Sequence, residues 1–213
     1  MATYKKSLAM RKSIIEAMEH LVLEKGYHQT NIKEIADYLG IPRSLIYYYF
    51  KNRGDLMHDI LETHYVALET KVEELLPQGE KPLVRQILKN VLFFRRIASN
   101  PLFTDYIISS PDYPSKGSDF AAEHIAKYFS ESESFFLDCG MSVDSNRFRV
   151  HVLITEVVWK SLVTGVHFKT VDLTEREMME YYLERTIMVT FGLGWEDLSP
   201  MLDEAFSLAD QAQ

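Results

Sequence analysis

Between Thr30 and Arg53 the apolar positions fall into two short helical stripes separated by a turn. Ile32, Ile35, Ala36 and Leu39 recur three or four residues apart, the spacing of a helix with one buried face. Asn31 stands just before that stripe. Its side chain is placed to accept from the amide three residues on while Glu34 reaches back, a capping-box arrangement. Gly40 ends the helix, because a C-terminal cap commonly takes the left-handed backbone that glycine adopts at little cost. Pro42 suits the first position of the next helix, where a missing amide hydrogen costs nothing.

On a second helix over 42–50, Ile46 and Phe50 are four apart and share a face. Arg43 with Tyr47, and Ser44 with Tyr48, line the opposite side, leaving Leu45 and Tyr49 at the flanks. Two short helices joined by Leu39-Gly40-Ile41-Pro42 form the pattern of a helix-turn-helix, whose second helix enters the DNA major groove. Tyrosines exposed on such a helix have a use there: their hydroxyls bond phosphates and their rings meet thymine methyls. The alternative for Tyr47 and Tyr48 is packing beneath the following helix.

Beyond this region helical periodicity continues and nothing reads as a strand ladder. Helices are expected over 55–76, 82–99, 102–109, 118–139, 144–168 and 174–191, with a short last one after Ser199-Pro200. The helix over 174–191 opens on a second capping box, Thr174 with Glu177. The segment 111–117, rich in Pro, Ser and Gly, is the most flexible stretch by composition. The two late long helices carry candidate seams for pairing with a second chain. One comprises Val150, Ile154, Val157 or Val158, Ser161 and Gly165, and the other Met179, Leu183, Ile187 and Phe191. The alternative is that both faces complete an intrachain core.

Composition sets outer bounds. With 213 residues, 46% of them hydrophobic, the chain can bury a substantial core in two helical domains. No apolar run approaches the ~20 residues that span a bilayer, and the N-terminus lacks a secretory apolar stretch. A lone cysteine, Cys139, permits no intrachain disulfide and fits a cytoplasmic location; it is a buried thiol or a redox sensor. The net charge of −8 argues against nucleic acid until it is divided along the chain. Residues 1–55 hold nine Lys and Arg against six Asp and Glu, whereas the remainder holds fourteen against twenty-five. Phosphate binding needs local positive charge, and the surplus lies at the helix-turn-helix end. Lys5, Lys6, Arg11 and Lys12 either add phosphate contacts or simply solubilise the first helix.

Gly26-Tyr27, Asn31-x-x-Glu34-Ile35-Ala36, Leu39-Gly40-Ile41 and the run from Ile46 to Arg53 together resemble the DNA-binding domain of TetR-type bacterial transcriptional regulators. The likeness runs without a gap from about Leu8 to Leu61. It implies an all-α homodimer. An N-terminal three-helix helix-turn-helix domain (1–55) would precede a C-terminal helical ligand-binding and dimerisation domain (56–213). Such regulators are usually repressors of near-palindromic operators, released by a small molecule. By position, Lys33, Arg43, Ser44, Leu45 and Tyr48 match base-approaching residues, while Tyr47, Tyr49 and Arg53 match phosphate-binding ones; Asn31, at the helix start, is grouped with them. Two residues depart from the family pattern. Pro42 stands where Ser or Thr is usual, and Gly54 where a helix former is usual, which implies a looser start to the next helix.

The effector is less legible. The middle of the chain is aromatic, and a pocket between helices lined by rings with a few polar groups suits a small apolar or aromatic ligand. The candidates are Phe94, Phe103, Tyr106, His124, Tyr128, His151 and Trp159. His151 and Glu156 are not at metal-binding helical spacing, no Cys-x-x-Cys occurs, and neither metal nor cofactor is expected. The absence of a phosphate loop or nucleophile elbow argues against an enzyme. Activation, or control by a protein partner, stays open beside repression.

Overall fold

The computed structural model describes residues 2–109, 119–143 and 146–212. Among these there are helices and turns and no strand, so the chain is all-α. The helices are α1 (Ala2–Lys25), α2 (Ile32–Leu39), α3 (Arg43–Tyr49), α4 (Arg53–Leu75), α5 (Pro82–Ser99), α6 (Pro101–Ser109), α7 (Asp119–Asp138), α8 (Asn146–His167), α9 (Glu175–Leu183), α10 (Val189–Phe191) and α11 (Trp195–Asp210). The proline- and glycine-bearing stretch 111–117 lies outside the described residues.

The chain divides into two compact units: residues 1–65 with 100–121, and residues 66–99 with 122–213. It therefore passes between them three times, so α4 is not the sole covalent connection that a simple two-domain division implies.

The first unit is built on α1, whose Ile14, Ala17, Met18, Leu21 and Val22 are buried against α2 and α6. Leu56, Met57 and Ile60 from the start of α4, and Leu102, Phe103 and Tyr106 from α6, complete its core. Tyr27 and Tyr106 meet edge to face with ring centroids 5.0 Å apart, and His64 meets Phe103 the same way at 4.9 Å.

In the second unit α5 packs along α11 and α9, and α8 packs on α9 and the segment after it. The Arg95 guanidinium on α5 bonds Glu175 of α9 at 2.6 Å and Asp210 of α11 at 2.7 Å, tying three helices together. α11 begins at Trp195 rather than after Pro200, because the Asp197 carboxylate accepts from the Gly194 amide at 3.1 Å and fixes the start six residues earlier. Pro200 is then carried inside the helix, where it forfeits one backbone hydrogen bond.

The stripe Met179, Leu183, Ile187 is buried within the chain rather than displayed for pairing. These residues are spaced by strict fours. At 3.6 residues per turn, such a stripe would drift by about 40° each step. The turn Glu184–Met188 is a π-helix, and its wider winding absorbs the drift. Buried Thr186, Ile187 and Thr190 thus stay in line with Met178, Met179, Tyr182 and Leu183.

Candidate nucleic-acid interface

The helix-turn-helix forms by local chemistry. The Asn31 side-chain oxygen accepts from the amides of Lys33 at 2.9 Å and Glu34 at 3.2 Å, while Glu34 accepts from the Asn31 amide at 2.9 Å. Lys25 bonds the same Glu34 carboxylate, and this hydrogen bond, then the one from Asn31, holds its pKa below the usual value. Gly40 adopts the left-handed backbone, φ 64°, and returns its amide to Ala36 and Asp37. Pro42 takes the extended cap position just outside α3, one residue earlier than its expected place in the first turn.

α3 has the two faces expected of it. Ile46 is fully buried and Phe50, which caps the helix, is 3% exposed. Arg43 and Ser44 are exposed, Tyr47 is 52% and Tyr48 77% exposed, and Leu45 and Tyr49 lie half-buried at the flanks. The Tyr48 and Tyr49 rings stand edge to face with centroids 5.0 Å apart, which fixes the direction of each. Packing beneath the next helix is thereby excluded for Tyr48. Lys33 is exposed on the first turn of α2.

Two cations take structural positions. Arg11 on α1 pairs with Asp59 of α4 and lies 5.2 Å over the Phe50 ring. Its charge is thus engaged within the unit, a third role beside the phosphate contact and the solubilisation that the sequence offered. Arg53 opens α4 and donates to the carbonyls of Tyr27 at 3.1 Å and Thr30 at 2.9 Å. Periodicity gave no sign of either contact; the only signal was the Gly26-Tyr27 pair, whose buried ring receives the Arg53 guanidinium at 4.0 Å.

The start of α4 is firmer than Gly54 suggested. Asn52 accepts from the Asp55 amide at 2.9 Å, and Asp55 accepts from the Lys51 amide at 3.1 Å. A Cβ on Gly54 would sit 2.9 Å from that Asn52 oxygen, so the glycine leaves room for the capping amide.

The effector candidates divide between the units. Phe103 and Tyr106 are buried in the first; Phe94, His151 and Trp159 are buried in the second, and the side chains of His124 and Tyr128 lie outside the described ones. In the second unit Phe93 meets Trp159 at 5.5 Å and Phe94 meets Tyr182 at 5.6 Å. His151 shares a 2.7 Å hydrogen bond with Thr190 and stands 5.0 Å from the Phe136 ring; burial pulls its pKa down to about 4. Cys139 is half-buried, and burial together with Asp138 pushes its pKa up to about 11, leaving an unreactive thiol at neutral pH. Among the described residues no three His, Cys, Asp or Glu side chains are grouped to hold a metal, and no helix is long and apolar enough to cross a membrane.

The N-terminal unit thus presents a bare, aromatic second helix of a helix-turn-helix, the form in which such a motif meets DNA. Residues 14–60 match the family described as bacterial regulatory proteins, tetR family, so the N-terminal part of the chain is similar to that family. A fatty acid metabolism regulator protein of Bacillus subtilis (strain 168) is 33% identical over 61 residues, 29% of this chain and 31% of the relative. The HTH-type transcriptional repressor BepR of Brucella suis biovar 1 (strain 1330) is 37% identical over 51 residues, 24% of each chain. The HTH-type transcriptional regulator AcrR of Shigella flexneri is 31% identical over 85 residues, 38% of this chain and 40% of the relative. The chain thus spans less than half the length of these curated relatives. Over nearly the whole chain, the fold is that of a crystal structure titled gamma-butyrolactone receptor (ArpA like protein). That match has TM-score 0.54 and 17% identity, covering 97% of this chain and 99% of the other.

Proposed function

We propose that the protein is a homodimeric repressor of a near-palindromic operator, released when a small apolar or aromatic ligand binds among its C-terminal helices. The observation that carries this reading is α3 itself, held by Ile46 and Phe50 and presenting Arg43, Ser44, Tyr47 and Tyr48 to solvent. Residues 1–55 would hold DNA. Lys33, Arg43, Ser44, Leu45 and Tyr48 would meet base edges, Tyr47 and Tyr49 phosphates, and Asn31 would fix the helix that aims Lys33. Residues 56–213 would bind the effector and pair the chains.

Pairing is supported by α8. Val150, Leu153, Ile154 and Val157 are 50%, 62%, 37% and 64% exposed at helical spacing, an apolar stripe that a lone chain leaves in water. A two-fold pair would set two recognition helices about 34–36 Å apart, one DNA turn. Repression is favoured by relatives such as BepR, and a small effector by the likeness to a gamma-butyrolactone receptor. Ligand would act by favouring conformers whose recognition helices are wrongly spaced.

Selection of duplexes from a random library by the purified protein tests this reading. A two-fold symmetric consensus is expected, bound by a dimer and weakened by Val157→Glu along with dimerisation. Recovery of no consensus ends the DNA reading, and a consensus without symmetry ends the dimer. Operator affinity unchanged across a panel of small apolar compounds counts against the effector and for control by a protein partner.

A further inference from the structure

Arg53 closes the helix-turn-helix on itself. The motif begins at Asn31, the cap of α2, and ends at Asn52, just before α4. Its two ends are therefore held by Thr30 and Arg53. One guanidinium nitrogen of Arg53 donates to the Thr30 carbonyl at 2.9 Å and the Tyr27 carbonyl at 3.1 Å, and the group stacks 4.0 Å over the Tyr27 ring. The receiving turn is itself buried and hydrogen-bonded. Thr30 and Tyr27 are fully buried, and the Thr30 hydroxyl donates to the Gly26 carbonyl at 3.0 Å. Tyr106 meets the Tyr27 ring edge to face at 5.0 Å.

We propose that Arg53 is a positioning residue for DNA recognition, a clasp joining both ends of the motif so that α3 has one orientation, rather than a phosphate ligand. The chemistry suits arginine specifically. A planar guanidinium donates in its own plane while its face rests on a ring, whereas a lysine ammonium is a point donor with no face to stack. The inference rests on α3 being the recognition helix, and it adds a role that the position of Arg53 in the motif does not by itself imply.

The test uses the full chain with Arg53→Lys, which keeps the charge, and Arg53→Gln, which removes it. The probes are the duplex selected by the wild-type protein and a random duplex of equal length, each titrated over a salt series, with thermal unfolding recorded in parallel. A clasp predicts roughly tenfold weaker binding of the selected duplex by both variants, from the lost stacking and hydrogen bonds. It also predicts random-duplex binding within about twofold for Arg53→Lys and a wild-type salt slope, since no released counterion is involved. A phosphate ligand predicts near-normal binding by Arg53→Lys and a slope shallower by about 0.9 per chain in Arg53→Gln; that result overturns the proposal. So does a parallel fall of both duplexes with the folded fraction, the mark of a purely structural residue. If the wild type selects no duplex, the DNA reading itself falls. If it selects one and Arg53→Lys behaves as wild type, only the clasp falls.

Discussion

Replacing Ile46 and Tyr48, two residues apart on α3, by alanine separates the anchoring face from the reading face. Ile46 is fully buried, and its loss removes four carbons' worth less one of packing from a helix of seven residues whose other anchor is Phe50. Transfer of the missing atoms plus an incompletely collapsed cavity costs about 3 kcal/mol, within the usual 2–5 for such truncations. Tyr48 is 77% exposed, so Tyr48→Ala changes stability by no more than about 0.5 kcal/mol. Its loss at both half-sites of a dimer weakens the selected duplex at least about tenfold, from one lost base or methyl contact per site. The probe of stability matters here, because the two tryptophans, Trp159 and Trp195, both lie in the second unit and tryptophan fluorescence would follow the wrong one. Amide hydrogen exchange over residues 32–60 reports the first unit directly. Ile46→Ala should speed exchange there by about two powers of ten, while Tyr48→Ala leaves it unchanged. Equal acceleration by the two variants, or full DNA affinity in Tyr48→Ala, would refute the division of α3 into faces.

The cap at the start of α2 should behave as a local device: Asn31→Ala loses about 1 kcal/mol by urea unfolding and Asn31→Asp very little, since only the former removes the acceptor of two amides. His151 sets an acid limit. Its pKa falls from an ordinary 6.5 to about 4 in the fold, so its contribution is complete above pH 6.5 and is lost as pH falls through 6.5 toward 4, where the unfolded chain binds the extra proton. The loss is about 3 kcal/mol at most, and His151→Asn should flatten the urea-midpoint profile over that window; an unflattened profile refutes the assignment. Salt dependence of operator binding should be shallow. Among described cations of the first 55 residues, Lys6, Lys33 and Arg43 have no ion-pair partner. Three per chain in a dimer give a slope near −5, against about −16 if all nine took part.

The parts of the fold that the sequence displayed were those decided within a few residues. Asn31 with Glu34, Gly40, and Thr174 with Glu177 fix caps through contacts three or four residues apart, and each formed as expected. The faces of α3 followed in the same way from Ile46 and Phe50. Features set by partners distant in sequence were not legible. Arg53 reaches carbonyls 23 and 26 residues away. The stripe Met179, Leu183, Ile187 had the right periodicity for a seam, yet periodicity says only that a face is buried, not against what. Here α8 and the chain's own π-turn decided it. The same blindness applies to Phe103 and Phe94, identical as aromatic residues on predicted helices but buried in different units.

The charge asymmetry that made DNA plausible needs the same correction. Nine cations in residues 1–55 look like a phosphate-binding reserve. Yet Arg11 is spent on Asp59, Lys25 on Glu34, Lys12 on Glu16, and Arg53 on two carbonyls and a ring. Much of the positive charge is therefore paired within the chain. On the proposed reading, a DNA surface with few unpaired cations would rely on neutral donors, and α3 carries them: three consecutive tyrosines and Ser44. Hydroxyls and rings bind without releasing many counterions, so their contribution survives in salt and depends more on shape than on charge. Such contacts tolerate little misalignment, so a short helix proposed to read DNA with tyrosines would gain most from the proposed clasp that fixes its direction.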